Sequence, residues 1–222
     1  DGWKIPCRHS KRYKSGKHKM SDVFQIFSTP ILKKKLNLDL KILNKTIKTI
    51  QKKNKNINKT NVGGYQSPEL DYKNIKEFKS LINDILSESH NFAANILVYK
   101  KKLKINNIWF NINNYKDFNK SHTHPRSLIS GVFYVKTPLV DSDDYEQSKL
   151  KGMLTFENPQ EDIEHYYPWA HRGGQNAFVT DEFSFPPFDN GLFLFPSWVK
   201  HYVNPNMSKE ERISIAFNVS PV

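Results

Sequence analysis

The run RISIAFNV, residues 212 to 219, constrains the fold more than any other stretch of the chain. Side chains alternate sides along an extended strand. Ile213, Ile215, Phe217 and Val219 therefore share one wholly apolar face, while Arg212, Ser214, Ala216 and Asn218 share the other. The apolar face has to pack on a core, which turns Arg212 and Ser214 toward the interior of whatever the sheet encloses. An arginine is costly to bury without an anion. Its partner is either an internal Asp or Glu in a structural salt bridge or the carboxylate of a bound molecule.

The rest of the chain fits a sheet of this kind. Beyond residue 105 short β-rich runs follow one another: IWFNIN, SLISGVFYV, GMLTFE, AFVTDEF and GLFLF. Before them, Leu40, Leu43, Ile47 and Ile50 recur at helical spacing after Asp39, a candidate N-cap. A second helical stripe runs through Ile75, Phe78, Ile82, Ile85, Phe92 and Ile96. Between the helices, the polar segment QKKNKNINKTNVGGYQSPE with Gly63 and Gly64 reads as a loop, and VFQIFSTPIL reads as a strand ended near Pro30. Two helices followed by many strands predict an α+β chain whose second half is a sandwich or barrel. With 222 residues, 37% of them hydrophobic, one sizeable core is expected.

Charge is unevenly spread. Residues 1 to 60 hold 17 basic and 3 acidic side chains, whereas residues 61 to 222 hold 17 and 19, so the net charge of +12 lies outside the chemistry-bearing half. Such a lysine excess predicts weak, salt-sensitive affinity for polyanions rather than a dedicated nucleic-acid site. Residues 1 to 19 lack periodicity and read as a disordered basic arm or a scar, with Met20 as the expected start of a single domain over residues 20 to 222. The one cysteine, Cys7, excludes an internal disulfide, and no long apolar run or signal-like segment is present. These features predict a soluble, cytoplasmic chain.

His122 and His124 form an H-x-H at the mouth of a strand, where residues two apart face one side, so both imidazoles could meet one metal. Chance pairing or turn capping explains the same dipeptide. The same parity, carried through SLISGVFYV, puts Ser130, Val132 and Tyr134 on that face. His201 follows GLFLFPSW and precedes Arg212 by eleven residues, an order that favours the metal reading.

The ordered motifs FSTPIL, NVGGYQS, WFNIN, HTHP, SGVFYV, GLFLFPSWVKH and ERISIAFN resemble the 2-oxoglutarate and iron(II)-dependent oxygenases, most closely a branch found in phages and bacteria that is related in architecture to prolyl hydroxylases. The resemblance implies a double-stranded β-helix (jelly-roll) core with the two N-terminal helices packed on the sheet. It implies Fe(II), 2-oxoglutarate and dioxygen as cofactor and cosubstrates, with succinate and carbon dioxide as products. By position, His122, His124 and His201 match the catalytic metal ligands, with His124 standing where the usual triad has a carboxylate. Arg212 and Ser214 match the pair that holds the far carboxylate of 2-oxoglutarate, and Tyr134 matches a tyrosine that assists them. Asn111 and Asn113 on the preceding strand would line the same cavity.

Residues 139 to 190 are long and aromatic-rich, with Tyr166, Tyr167 and Trp169 and a hinge candidate at Gly173 and Gly174, and are expected to cover the substrate. The substrate itself is open: a protein side chain, a free amino acid, a nucleobase or a small metabolite, with oligomerisation equally open. Two other readings compete. A cupin-type metal enzyme also uses H-x-H and a later histidine, but it would not need Arg212 turned inward; a basic nucleic-acid-binding module would not be expected to keep the metal ligands.

Overall fold

The computed structural model describes residues 11–13, 21–23, 26–138, 151–160 and 180–222. Residues 1–30 and 31–222 form separate units. The first holds two short antiparallel strands, β1 (Lys11–Tyr13) and β2 (Ser21–Val23). Of the run expected as a strand before Pro30, Val23 ends β2 and the described residues 26–30 are not in a strand. Phe27 sits at φ 58°, which breaks extended backbone, and the strand lies after the proline instead, at β3 (Leu32–Lys35). It is an edge strand whose Lys33, Lys34 and Lys35 are exposed, a composition that discourages edge-to-edge pairing and hides the strand from an apolar pattern search.

Helix α1 (Leu40–Lys53) starts where its sequence says it should. The Asp39 carboxylate accepts the amides of Lys41 at 2.9 Å and Ile42 at 3.1 Å, and Lys52 and Lys53 sit in the last turn, where the helix dipole favours cations. Two strands follow, β4 (Asn61–Val62) and β5 (Tyr65–Gln66). Gly63 and Gly64 between them have φ of 69° and 62°, a conformation that glycine adopts without steric cost. This step carries the chain from one sheet to the other, since β4 pairs with a strand of the first sheet and β5 with a strand of the second. What reads as a plain loop in the sequence is thus a crossing between sheets.

Helix α2 (Lys79–Asn95) buries Leu81, Ile85, Ser89, Phe92 and Ala93. The predicted stripe is corrected at its ends: Ile75 lies between two short 3-10 turns and Phe78 ends the second of them, both before the helix, and Ile96, past its last residue, is 48% exposed.

The remaining strands are β6 (Leu103–Asn113), β7 (Phe118–His122), β8 (Ile129–Lys136), β9 (Leu154–Glu157), β10 (Glu182–Phe185), β11 (Gly191–Pro196), β12 (His201–Val203) and β13 (Arg212–Pro221). They form two antiparallel sheets, ordered β10-β9-β12-β7-β4 and β3-β11-β8-β13-β6-β5. The described part of residues 31–222 is thus a mixed fold of two antiparallel sheets and two α-helices.

The alternation in β13 is realised as read. Ile213, Ile215, Phe217 and Val219 are fully buried in one apolar cluster with Ile108, Phe110 and Ile112 of β6 and with Leu43, Ile47, Leu81, Ile85 and Phe92 of the helices. Each such side chain contributes about 1.5–3 kcal/mol by burial. A second cluster lies on the opposite face of the same sheet, where Val132 and Tyr134 of β8 and Phe193 and Phe195 of β11 meet Leu154, Phe156 and Val203 of the smaller sheet. Strands β8 and β11 are buried on both faces, which is why SGVFYV and GLFLF read as continuous apolar runs. The polar face of β13 is turned toward this second cluster. No helix among the described residues is long and apolar enough to cross a membrane.

Candidate metal and 2-oxoglutarate site

His122 is the last residue of β7 and His201 the first of β12, and the two are directly opposite in the antiparallel register. His124 lies two residues past the end of β7, outside any strand, so strand parity is not what aims it. Its amide donates to the carbonyl oxygen of Ser197 at 3.0 Å, and its ring leans on Trp109 with centroids 5.8 Å apart. The three imidazoles converge: ring centroids are 4.9 Å apart for His122 and His124, 4.5 Å for His122 and His201, and 5.1 Å for His124 and His201. One nitrogen from each lies within 4.8 Å of the others, a spacing that could hold a metal ion.

Hydrogen bonding prepares two of these rings. His122 Nδ1 lies 2.7 Å from the Lys120 carbonyl oxygen and His201 Nδ1 lies 2.9 Å from that of Val199. A carbonyl oxygen only accepts, so each Nδ1 carries the proton and each Nε2 keeps a free lone pair for a metal. Burial holds the rings neutral. It lowers the His201 pKa to about 3, helped by neighbouring His122 and opposed by the Val199 contact, and lowers that of His124 to about 4, again with His122 contributing. The His122 pKa is lowered as well, chiefly by burial. Three neutral nitrogen donors in one shell suit a first-row divalent metal such as iron(II).

Below this cluster the same cavity reaches Arg212, which is only 1% exposed. Its Nη1 donates to Asn113 Oδ1 at 3.0 Å and to Ser214 Oγ at 3.2 Å, and its Nη2 donates to the Tyr134 hydroxyl at 3.1 Å. The guanidinium also lies over the Tyr134 ring, 4.9 Å from its centroid. No Asp or Glu among the described residues pairs with it, and its Nε is buried without a partner. Among the described residues, then, no structural salt bridge holds this arginine. Burial raises the Tyr134 pKa against the opposing pull of Arg212, which leaves the hydroxyl protonated and able to donate in turn. Asn111, directly across from Ser214, lines the cavity with its Oδ1 buried and unpartnered. The cavity spans about 480 Å³ of space, part of it open solvent, and among the described residues neither Asp nor Glu lines it.

The structure thus brings together every predicted site residue: His122, His124, His201, Arg212, Ser214, Tyr134, Asn111 and Asn113. It adds several that sequence reasoning missed. Asn119, the buried residue of β7, accepts from Asn113 Nδ2 at 3.3 Å and so extends the polar end of the cavity. Trp109 stands two residues before Asn111 on the same strand face, a position that the WFNIN alternation marks. Gly152, at φ 72°, packs so closely that an added Cβ would lie 2.8 Å from Arg212 Cδ. The lid residues Tyr166, Tyr167, Trp169, Gly173 and Gly174 lie outside the described residues.

Comparison with known proteins agrees with this geometry. No curated protein matches the chain. Among solved structures, a Pseudomonas putida prolyl-4-hydroxylase matches with a TM-score of 0.59 at 12% identity, covering 88% of this chain and 94% of its own. HygX from Streptomyces hygroscopicus, with nickel and 2-oxoglutarate bound, matches with a TM-score of 0.60 at 10% identity, over 87% of this chain and 84% of its own. The viral collagen prolyl hydroxylase of Paramecium Bursaria Chlorella virus-1, in its 2-oxoglutarate complex, matches with a TM-score of 0.53 at 12% identity, over 86% of this chain and 96% of its own. At these identities the likeness is one of fold. A family model described as "Putative 2OG-Fe(II) oxygenase" matches residues 107–218, the span that carries the three histidines and Arg212. The chain belongs to the family of 2-oxoglutarate and iron(II)-dependent oxygenases.

Proposed function

We propose that His122, His124 and His201 hold the iron(II) and that Arg212, with Ser214, Tyr134 and Asn113, receives the far carboxylate of 2-oxoglutarate. The observation that carries this reading is the fully buried Arg212, which has no acidic partner among the described residues and opens into the same cavity as three neutral imidazoles. A buried guanidinium without a counter-ion is costly, and a dicarboxylate cosubstrate relieves that cost. Iron(II), when bound, supplies the activation of dioxygen that is coupled to oxidative decarboxylation of 2-oxoglutarate to succinate and carbon dioxide.

The chain's own groups do the rest. Arg212 fixes one end of the cosubstrate through charge-assisted hydrogen bonds, and the Tyr134 and Ser214 hydroxyls complete its cradle. Asn111 offers its carboxamide along the path between Arg212 and the histidines. Phe156 and Phe195 pack their rings on His201, with centroids 6.1 Å and 4.6 Å away, and keep water from that side. On this reading the two sheets form a double-stranded β-helix with α1 and α2 covering its larger sheet, residues 20 to 222 act as one oxygenase domain in the cytoplasm, and the basic arm contributes only salt-sensitive contacts.

The test is a titration of purified protein with iron(II) and then with 2-oxoglutarate, followed by succinate detection. One metal per chain and 2-oxoglutarate-dependent succinate are expected. A metal-loaded protein indifferent to 2-oxoglutarate would point to the cupin reading instead. Mass spectrometry of peptide and metabolite pools after turnover, read for a gain of one oxygen, then identifies the target.

A further inference from the structure

The inner face of the larger sheet is a ladder of cross-strand pairs between β13 and β6. Arg212 stands opposite Asn113, Ser214 opposite Asn111, Ala216 opposite Trp109 and Asn218 opposite Asn107. Successive rungs are about 7 Å apart, because side chains on one face of a strand repeat every two residues. Resting on the reading above, the first two rungs belong to 2-oxoglutarate, since a five-carbon diacid anchored on Arg212 covers roughly one such interval. The third rung remains.

That rung has a distinct chemistry. The Trp109 side chain is half-buried, lines the cavity and meets the His124 ring, so whatever rests on the indole lies beside the metal ligands. Across from it, Ala216 is small and leaves the indole uncrowded, and Val132, paired with Ala216 on the other side, adds an apolar floor. One rung further out, polarity returns without charge: the Ser130 hydroxyl donates to Asn218 Oδ1 at 2.7 Å, and Asn218 Nδ2 donates to Asn107 Oδ1 at 2.8 Å. These groups satisfy one another, with Ser130 and Asn218 buried, so the slot that the sheet presents to the cavity is aromatic and aliphatic, from Trp109, Val132 and Ala216.

We propose that Trp109 forms the wall on which the group to be oxidised packs, and that the substrate is an uncharged, apolar carbon skeleton there. Charge decides against the alternatives. With the two negative charges of 2-oxoglutarate set against a bound dication and Arg212, a cationic group would still meet one net positive charge, and no Asp or Glu among the described lining residues offsets it. An anionic group would compete with 2-oxoglutarate for Arg212 rather than stop at the third rung. An aliphatic or ring C–H surface gains from the indole without either penalty.

The experiment uses the full chain loaded with zinc(II) and 2-oxoglutarate and three probes of similar size: N-isobutylacetamide, isopentylammonium and 4-methylpentanoate. Saturation transfer from protein to probe methyl protons is read by NMR for wild type, Trp109→Ala and Trp109→Phe. The neutral amide is expected to receive saturation in wild type and in Trp109→Phe, and to bind about three- to tenfold more weakly to Trp109→Ala, as the loss of an aromatic wall implies. Equal saturation in wild type and Trp109→Ala, or an ammonium or carboxylate probe that matches the amide, would overturn the proposal. Metal content and 2-oxoglutarate affinity are measured on the same wild-type sample. If both are intact and no Trp109-dependent signal appears, this inference alone fails; if neither ligand binds, the site assignment beneath it fails and takes this inference with it.

Discussion

The carbonyl oxygen of Ser197 accepts the backbone amide of His124 at 3.0 Å, and this contact ties the one candidate ligand that lies outside a strand to the turn that precedes His201. Ser197 makes the turn a clamp. Its own amide donates to Leu128 O at 3.2 Å, its hydroxyl donates to Ser127 O, and it is 5% exposed. Two residues on, the Val199 carbonyl orients the His201 ring.

Ser197→Ala removes the hydroxyl contact to Ser127 and loosens the loop that carries His124, while the backbone contact to the His124 amide remains. Weakened placement of a metal ligand typically costs 10- to 100-fold in affinity, so iron(II) binding should fall by about tenfold or more. The cobalt(II)-substituted visible spectrum should change with it. A variant that melts earlier without metal, yet keeps normal affinity and spectrum, would show that Ser197 stabilises the fold and does not position the site.

Arg212→Ala should weaken 2-oxoglutarate binding by about tenfold or more, since a charge-assisted contact contributes ~1.5–3 kcal/mol and ~1.4 kcal/mol is a factor of ten. Metal content should persist, because the three histidines do not depend on the guanidinium. Gly152→Ala is expected to act in the same direction by a different route: its Cβ would press on Arg212 Cδ, and its φ of 72° disfavours any side chain. Isothermal titration of each variant with 2-oxoglutarate in the presence of manganese(II) checks both. Unchanged affinity in Arg212→Ala would remove the arginine from the cosubstrate site.

Much of this site is legible in the sequence because β13 states both of its environments in eight residues. Ile213, Ile215, Phe217 and Val219 announce a core face, and Arg212 and Ser214 on the other face announce a polar interior. The strands β8 and β11 are legible for the opposite reason, since burial on both faces leaves no polar interruption. What stays hidden is set by contacts across sequence. β3 carries three exposed lysines and so lacks any strand pattern, Gly63 and Gly64 look like an ordinary loop until two sheets are seen on either side, and Gly152 matters only through Arg212. His124 was expected to share the strand parity of His122; it reaches the same point from a loop, held by Ser197.

The metal-free protein should lose stability as the pH falls. Burial depresses the His201 pKa to about 3 and that of His124 to about 4, whereas in the unfolded chain both titrate near ~6.5. Between those limits the unfolded state binds more protons than the folded state, so unfolding is favoured progressively as the pH drops below ~6.5. The stabilising difference is fully present above ~6.5 and lost on descending toward 4 and 3. Urea denaturation of chelator-treated protein should show a midpoint that rises from pH 4.5 to 6.5, with a shallower rise after His201→Phe. A flat profile would mean that these imidazoles are not buried as neutral rings.

His124 carries the most information about how this site differs from a triad with a carboxylate. A neutral imidazole in place of Asp or Glu leaves the metal shell one unit more positive, which should strengthen the hold on the anionic 2-oxo acid. Its ring nitrogens have no protein hydrogen-bond partner among the described residues, and the ring lies within reach of both other histidines, so the lone pair is free to ligate. His124→Ala should then lower iron(II) affinity strongly and abolish succinate formation. His124→Asp supplies a short carboxylate at the same loop position, with the Ser197 carbonyl still holding the backbone amide. It should retain metal and some turnover while binding 2-oxoglutarate more weakly than the wild type, because the shell has lost a unit of positive charge. Iron(II) affinity, 2-oxoglutarate affinity and succinate yield, measured on both variants, separate the cases. If His124→Ala keeps wild-type metal affinity and succinate yield, His124 serves as a hydrogen-bonding wall beside Trp109 and the metal rests on His122 and His201 alone.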